Sequence, residues 1–466
     1  MKITGKYTRI LAIAALGSGL LFGCEIDQVT DADNPSLESV TGDASAAELQ
    51  VLVTGLEARN REYYENVNQL FGVFGREVYA YFGSDPRFTN EWLGLNITTT
   101  YPDFFASGGS YVNPYRAVRQ ANVLIEAANN SSAVDDEQRA GYAGLAKTVK
   151  GFQLLWPLLQ QYENGIRIDV EDNLNPGPIV DYGVALAEIR QILDDGADDL
   201  QQAGDAFNFS LTAGFNGFSD PDGMYEVNRA VAARAALYAE DFDAALTALD
   251  ESFLNLNAAT QDDLYTGVYH VWGNAPDDPN PLYYPYDRET STILIVHPDM
   301  IEDAEAGDGR LFKFAMRQEN LVTNSNIKAD EGTGDPIPGV YQDARYESPE
   351  ESTPWLRNEE LILIYAEAQV RKASPDFTAA VNAINTIRNI WGLADYSGAT
   401  TEDDLIDEIL YQRRYSLWQE NGHRWVDLRR LGRLNESYVD LREGGNLFQQ
   451  VARRTSETNW DLANGN

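Results

Sequence analysis

The sequence has few cysteines, few histidines and little positive charge. Its single cysteine can form no intramolecular disulfide, and its three histidines lie far apart, without the spacing of a zinc site. Only seven of the 35 basic residues are lysines. The acidic residues number 73, and the net charge is −38. Such a surface repels phosphate backbones, which excludes nucleic acid as a partner. The acidic excess also suggests a salt-adapted source, because high ionic strength screens its self-repulsion.

Long apolar runs are equally scarce. One run, residues 10–22, follows three basic residues and ends just before Cys24, which is the layout of a signal peptide. It is shorter than the roughly 20 residues that a membrane-spanning helix needs. Leu21-Phe22-Gly23-Cys24 resembles the bacterial lipobox, with Phe22 bulkier than usual. We therefore expect residues 1–23 to be a lipoprotein signal peptide and Cys24 to carry the lipid that attaches the chain to a membrane.

Acidic residues follow Cys24 directly. Residues 24–40 contain several Asp and Glu residues among few apolar ones, which predicts a flexible acidic tether. In Bacteroidetes-type bacteria, such residues resemble the signal that moves a lipoprotein to the cell surface; a solvated linker is the simpler interpretation. We expect a lipid-anchored protein of the outer membrane that faces the cell exterior.

Residues 41–466 are predicted to form one mostly α-helical domain. The pattern D-F-x-A-A-[LV]-x-A-[LI] occurs at residues 241–249 and again at 376–384, and its aromatic, Ala and aliphatic positions share one helical stripe. An amphipathic helix precedes each copy, so each unit resembles the tetratricopeptide helix pair. The helix at 182–202 is expected to pair with the helix that follows Thr401. Helix pairs are predicted near residues 114–160, 182–202, 227–251 and 358–420.

Three long segments, residues 75–109, 208–223 and 264–354, lack a helical period. They are rich in Gly, Pro, Asp and aromatic residues, which favours ordered loops over disordered linkers. Ordered loops on a rigid scaffold commonly carry binding residues. We expect these loops to form a ligand-binding side of the helical scaffold.

The last quarter of the chain carries the most specific motifs. In order they are Tyr365-Ala366-Glu367-Ala368, Asn385-Thr386-Ile387-Arg388, Arg413-Arg414 and Gly422-His423-Arg424-Trp425-Val426-Asp427-Leu428-Arg429-Arg430. This series resembles the SusD/RagB family of surface nutrient-binding lipoproteins, with Gln412 where the family usually has Glu and Gln419 beginning a segment that is more apolar in the family. The resemblance implies a SusD-like helical scaffold, an oligosaccharide or peptide ligand, and a TonB-dependent, SusC-like transporter as partner.

The charged residues of this motif allow a catalytic or a structural interpretation. No nucleophile lies beside them in the sequence, which favours a structural ion-pair network. Its arginines are expected to pair with nearby carboxylates such as Glu367 and Glu420. The residues assigned to this structural motif are Arg413, Arg414, His423, Arg424 and Asp427.

No motif of an enzyme is present. The chain has no nucleophile-elbow pattern and no glycine-rich phosphate loop, and pairs of acidic residues carry no information about glycoside hydrolysis in so acidic a chain. The acidic clusters at residues 277–278 and 302–308 lack the ligand pattern of an EF-hand, so solvated charge is favoured over Ca²⁺ binding. We predict a binding protein without cofactor or metal, not an enzyme.

Two segments have the composition of a carbohydrate site, in which aromatic faces stack on a sugar and polar side chains bind its hydroxyls. For each aromatic residue, packing within the core of the loops is the alternative. We expect Trp272→Ala to weaken ligand binding without unfolding the domain. The first segment, stiffened by prolines, offers Trp272, Asn274, Tyr283, Tyr284, Tyr286 and Arg288. The second segment offers Tyr81, Asp85, Arg87 and Trp92.

The leading hypothesis from the sequence is a cell-surface lipoprotein that binds a nutrient, an oligosaccharide, and delivers it to an outer-membrane transporter. Two alternatives stay open. One is an oligopeptide-binding protein of the RagB type, and the other is a tetratricopeptide-like scaffold that binds other proteins in the periplasm. A lipid-anchored hydrolase is the least favoured interpretation.

Overall fold

A computed structural model describes residues 41–96, 108–172, 174–325, 327–328 and 334–464. Cys24, the predicted signal peptide and the predicted tether lie outside the described residues. Helices dominate the described part, which confirms the predicted mostly α-helical class. In chain order they are α1 (Ala46–Arg61), α2 (Tyr64–Phe74), α3 (Arg87–Asn90), α4 (Gly109–Asn130), α5 (Asp136–Gln161), α6 (Tyr182–Gln201), α7 (Pro221–Tyr238), α8 (Phe242–Asp250), α9 (Gln261–Tyr265), α10 (Asp299–Glu302), α11 (Asn358–Arg371), α12 (Phe377–Ile390), α13 (Glu402–Ser416), α14 (His423–Arg430) and α15 (Thr455–Asn464).

Side-chain caps explain where the repeated helices begin. Asp241 and Asp376, the first residues of the two repeat copies, accept hydrogen bonds from the main-chain N–H groups three residues later, at 3.2 and 2.9 Å. The Thr401 hydroxyl accepts the N–H of Asp404 in the same way, at 3.3 Å. Each bond satisfies one of the N–H groups that a helix N-terminus leaves free. The repeat pattern therefore starts with the cap of the second helix of its pair.

The helices pack largely in chain order. α4 lies against α5, α5 against α6, α6 against α7 and α7 against α8, and α8 also contacts α11, the first helix of the second repeat pair. α13 lies against α11 and α12 rather than against α6. The predicted pairing of the helix at 182–202 with the helix after Thr401 is therefore wrong, because elements that follow each other in the chain usually become neighbours.

Short strands lie between the helices, most of them in the predicted loops. They are β1 (Val78–Phe82), β2 (Ile166–Arg167), β3 (Ile179–Val180), β4 (Gly267–His270), β5 (Thr292–Val296), β6 (Phe314–Met316), β7 (Tyr341–Asp343) and β8 (Thr353–Arg357). Four of them build an antiparallel sheet in the order β1-β5-β7-β6, while β2 pairs with β3 and β4 with β8. The expectation of irregular structure over residues 75–109 and 264–354 is wrong at these strands, since short strands such as β1, buried on both faces, show no alternation of apolar and polar residues.

The C-terminal motif is buried and ties α11, α13 and α14 together through ion pairs. Arg413 Nε donates to Asp427 at 2.6 Å, and Arg430 pairs both with Asp427, at 2.9 Å, and with Glu367, at 2.6 Å. His423 Nδ1 lies 3.3 Å from Arg413 Nη2. Burial and the neighbouring arginine charges lower the pKa of His423 well below its usual value, so the imidazole is neutral.

The remaining arginines of the motif have other partners. Arg414 pairs with Asp299 at 2.7 Å, on a different segment of the chain. Arg424 donates to main-chain carbonyl oxygens instead of a carboxylate. Glu420, expected to pair with the motif, instead accepts from Arg357 Nε at 2.7 Å. The sequence could not show these choices, because they depend on elements that lie far apart in the chain.

Candidate functional site

The pairing of β1 with β5 brings the two candidate ligand segments together. Phe82, at the end of β1, lies opposite Thr292, at the start of β5. The next pair continues the contact, with the Gly83 N–H donating to the Ser291 oxygen at 2.7 Å. A pocket of about 620 Å³, here called the tyrosine pocket, lies at this end of the sheet and is lined by residues of both segments.

Aromatic side chains form much of the tyrosine pocket. Tyr283 and Tyr284 line it and are each half-buried. Phe82 and Trp418 also line it, but both are buried, and Trp418 Nε1 donates to the Glu77 main-chain oxygen at 3.3 Å. The two tyrosine rings are therefore the pocket aromatics that remain most available to a ligand.

Polar side chains enter the tyrosine pocket from two sides. On α2, Gln69 Nε2 donates to Glu65 Oε1 at 3.0 Å, and desolvation in the pocket raises the pKa of Glu65. On β7, Asp343 is held by Arg345 at 2.6 Å. The pocket thus combines carboxylates and a carboxamide in fixed positions with two tyrosine rings, and this set can hydrogen-bond a hydroxyl-rich ligand.

Gln419 also lines the tyrosine pocket, and its side chain packs closely against α2. Its main chain has a positive φ of 52°, and its Nε2 donates to the Asn68 oxygen at 3.2 Å. A Cβ on Gly72 would lie 2.0 Å from this Nε2, so only glycine admits the contact. Gln419 Oε1 is buried and finds no hydrogen-bond donor among the described residues.

Buried side chains of the sheet hold the turn that carries the tyrosines. Gln342 Nε2 donates to the Tyr284 oxygen at 3.2 Å, and its Oε1 accepts the Asp287 N–H at 3.0 Å. Arg317 Nη2 donates to the Arg288 oxygen at 2.6 Å. The Asp287 carboxylate in turn accepts main-chain N–H groups of residues 318–320. Residues 283–288 are therefore a fixed platform, which lowers the entropy cost of ligand binding.

Tyr286 and Arg288 lie on this platform but do not line the tyrosine pocket. Tyr286 is 55% exposed, and its hydroxyl donates to the Met316 oxygen at 2.7 Å. The side chain of Arg288 is exposed. Both can contact a ligand that extends beyond the pocket.

The second candidate segment contributes less than its composition suggests. Tyr81 is buried in β1, and its hydroxyl donates to the Ile337 oxygen at 2.6 Å. Trp92 is buried against Phe88, with ring centroids 5.0 Å apart. Asp85 and Arg87 form an ion pair at 2.7 Å and are partly exposed. Tyr81 and Trp92 therefore pack within the core of the loops.

Trp272 and Asn274 also lie outside the tyrosine pocket. Trp272 is only 7% exposed; its Nε1 donates to Thr353 Oγ1 at 3.0 Å, and the Arg61 guanidinium lies 5.0 Å from the ring centroid. Asn274 is exposed and hydrogen-bonded to Glu350. Since Trp272 packs in the core, its replacement by Ala is now expected to destabilise the domain, contrary to the expectation from the sequence.

Sequence reasoning missed four polar residues of the tyrosine pocket: Glu65, Gln69, Asp343 and Gln419. Glu65 and Gln69 resemble the solvated face of any amphipathic helix, and nothing in the sequence brings α2 to the tyrosines. Gln419 carried one signal, because it departs from the family's more apolar residues. Within the described residues, no group of three or more His, Cys, Asp or Glu side chains could hold a metal ion, and no described helix has the length and apolar character needed to cross a bilayer.

Comparison with known proteins agrees with this architecture. Residues 339–462 match the model of the SusD family. The B. fragilis NanU structure has a TM-score of 0.65 at 14% identity, covering 92% of this chain and 98% of its own. Surface glycan-binding protein A from Bacteroides uniformis gives 0.64 at 14% identity, over 90% of this chain and 98% of its own.

A SusD-like carbohydrate binding protein from Bacteroides vulgatus gives a TM-score of 0.62 at 17% identity, with 83% of each chain covered. No curated protein sequence matches. The structural similarities establish the fold, and the family model covers the C-terminal motifs of α11 to α14.

Proposed function

Because residues 339–462 match the SusD family model and the fold matches that of solved SusD-like proteins, we propose that this is a carbohydrate-binding protein of the SusD/RagB family. We propose further that the tyrosine pocket holds part of an oligosaccharide. The observation that carries the proposal is the convergence of Tyr283 and Tyr284 with the carboxylates and carboxamides of the pocket. The printed descriptions of two similar structures, a carbohydrate binding protein and a surface glycan-binding protein, support the ligand class.

The chemistry of the tyrosine pocket suits a sugar. A pyranose presents an apolar face of C–H groups, which stacks on an aromatic ring, while its hydroxyls need donors and acceptors at its edge. Tyr283 and Tyr284 supply rings, and Glu65 and Asp343 supply acceptors held by neighbouring side chains. The rigid turn lets these groups bind without first being ordered.

A screen of soluble ligands tests the proposed class. A ligand that binds only the folded domain raises its melting temperature by mass action. We expect at least one oligosaccharide from a broad panel to do so, and short peptides of mixed sequence to have no effect. Stabilisation by peptides alone would contradict the proposal and favour the oligopeptide alternative.

We further propose that the protein is held at the cell surface by lipid on Cys24 and passes its ligand to a TonB-dependent transporter. Cys24→Ser is expected to shift the protein from the membrane to the soluble fraction. Mild detergent extraction of the wild type should co-purify a large β-barrel protein. Retention of Cys24→Ser in the membrane fraction would argue against the lipid anchor, and recovery of the wild type without a barrel would argue against the transporter.

A further inference from the structure

A second pocket is lined by an earlier part of the segment that leads to the tyrosines. This α1 pocket, of about 740 Å³, is lined by one face of α1, the turn at residues 212–215, β4, and residues 271 and 277. It shares no lining residue with the tyrosine pocket. Residues 271–284 therefore contribute different side chains to two separate cavities.

The outer wall of the α1 pocket is tied to α1 by specific contacts. Gln50 Oε1 accepts the Ser210 N–H at 2.8 Å, while Gln50 Nε2 donates to the Ser210 oxygen at 3.0 Å. The turn also approaches β4 closely, since a Cβ on Gly214 would lie 2.0 Å from the Tyr269 oxygen. Only glycine permits this approach. The wall is thus held from both sides, and the cavity is a defined feature of the fold.

Glu57 provides a carboxylate oxygen in the α1 pocket that can accept hydrogen bonds from a ligand. The Thr212 N–H and hydroxyl both donate to Glu57 Oε1, at 2.9 and 2.7 Å, which leaves Oε2 as an acceptor. Desolvation raises the pKa of Glu57, although the two bonds from Thr212 act in the opposite direction. A carboxylate with one oxygen fixed and one oxygen open, inside a cavity, is suited to accept ligand hydroxyls.

The other charges of the α1 pocket are balanced. Arg61 pairs with Asp277 and donates to the Val271 oxygen. Burial lowers the pKa of His270 to about 3, so this part of the wall is uncharged. Tyr269, half-buried, and Phe215 add aromatic surface. A neutral ligand with hydroxyl donors matches this arrangement better than an anion, which the Glu57 carboxylate would repel.

We propose that the α1 pocket is a second saccharide-binding site, in which Glu57 Oε2 accepts hydroxyls of a neutral sugar unit. The class of ligand rests on the proposed function, whereas the location does not. A second site would let the protein hold a further sugar unit, and a ligand that reaches both sites would make its second contact at high effective concentration.

Hydrogen exchange with defined probes tests the second site. The probes are the methyl glycosides of glucose, galactose, mannose, xylose and N-acetylglucosamine, each at millimolar concentration. We expect at least one of them to slow amide exchange in residues 208–216 and 265–273. Ala58→Arg, which fills the α1 pocket from an exposed helix position, should weaken this protection at least tenfold. Ala187→Arg, at an exposed position of α6 outside both pockets, should leave it unchanged.

The result also separates the two proposals. Protection of residues 281–294 alone would overturn the second site while supporting the tyrosine pocket, and protection of residues 208–216 alone would do the reverse. Absence of protection at 208–216 with every probe, or equal protection in Ala58→Arg, overturns the inference. If Ala58→Arg lowers the melting temperature, Glu57→Gln decides instead: the inference requires weaker protection at 208–216 and fails if protection is unchanged.

Discussion

Gln342, buried on β7, donates a hydrogen bond from Nε2 to the main-chain oxygen of Tyr284 at 3.2 Å. Its Oε1 accepts from the Asp287 N–H and from Arg317. One side chain of the sheet therefore fixes both ends of the turn that carries the pocket tyrosines. The proposed ligand site depends on this connection, because the turn itself contains no regular secondary structure.

Replacing Gln342 is expected to loosen the tyrosine turn. Gln342→Leu leaves the Asp287 N–H and an Arg317 N–H without their acceptor, at a cost of about 1–3 kcal/mol for each buried group left unsatisfied. Amide exchange in residues 283–290 should become faster and ligand affinity should fall. Gln318→Leu makes the same change at an exposed position that contacts the turn only through its main-chain N–H. It should alter neither, and equal effects of both variants would contradict this role.

Trp272 and Tyr286 are expected to differ in what they stabilise. Trp272→Ala removes a buried ring and should lower the free energy of unfolding by about 3–5 kcal/mol. Tyr286→Ala, at an exposed position, should change it by no more than about 1 kcal/mol, through the lost bond to Met316. Urea unfolding of both variants measures the difference. A near-neutral Trp272→Ala would show that the ring is not part of the core.

The Glu367 and Arg430 pair is expected to be essential for folding stability. Burial would raise the pKa of Glu367, but the charge and hydrogen bonds of Arg430 outweigh this and lower it. Because the folded state favours the carboxylate, the pair's contribution is present above pH 4.5 and is lost as pH falls below it. Glu367→Gln removes one of the two carboxylates that pair with the buried Arg430, the other being Asp427. It should cost more than an exposed pair does, up to about 3–5 kcal/mol near neutral pH.

An exposed pair on the same arginine network provides the control for Glu367. Glu240 pairs with Arg371 at 3.0 Å, with its side chain about half exposed. Glu240→Gln should cost no more than about 1 kcal/mol, because solvent and salt screen such pairs. If both variants cost the same in denaturant unfolding at neutral pH, burial does not govern the strength of this network.

Glu77 is expected to make stability depend on pH in the opposite direction. Burial raises the pKa of Glu77 to about 8, despite nearby arginines. The folded state therefore keeps a proton that the unfolded state releases above its pKa of about 4.5, and this contribution to stability is lost as pH rises towards 8. Relative to wild type, Glu77→Gln should gain stability from pH 5 to pH 8.

Thermal unfolding across that pH range measures the Glu77 effect. Taking the difference between wild type and Glu77→Gln removes the contributions of other groups, including the buried histidines. Glu188→Gln, at an exposed position of α6, should give a curve parallel to wild type. A Glu77→Gln curve that is also parallel would mean that Glu77 titrates normally in the folded protein.

The sequence predicted those parts of the fold that depend on local signals. The helices of the two repeat copies follow from the period of their apolar residues. The sheet did not follow, because β1 and β5 lie far apart in the chain and are too short to show a pattern. The Arg414 pair with Asp299 was missed for the same reason.

The candidate site was predicted to a similar extent. Tyr283 and Tyr284 stood out by composition, and the structure brings them to one pocket. Trp272 and Tyr81 lie in segments of similar composition, but both are buried. The composition of a segment cannot distinguish a ring that faces a ligand from one that faces the core. Glu65 and Gln69 gave no signal, because their role depends on how α2 meets the turn.

The central claim, that the tyrosine pocket binds an oligosaccharide, is tested most directly by calorimetric titration of the double variant Tyr283→Ala, Tyr284→Ala with the glycan found in the screen. The account predicts at least a tenfold loss of affinity, about 1.4 kcal/mol, with the fold intact by circular dichroism. Tyr225→Ala, a half-buried tyrosine on α7 outside both pockets, should bind as wild type. Unchanged affinity in the double variant would contradict the account.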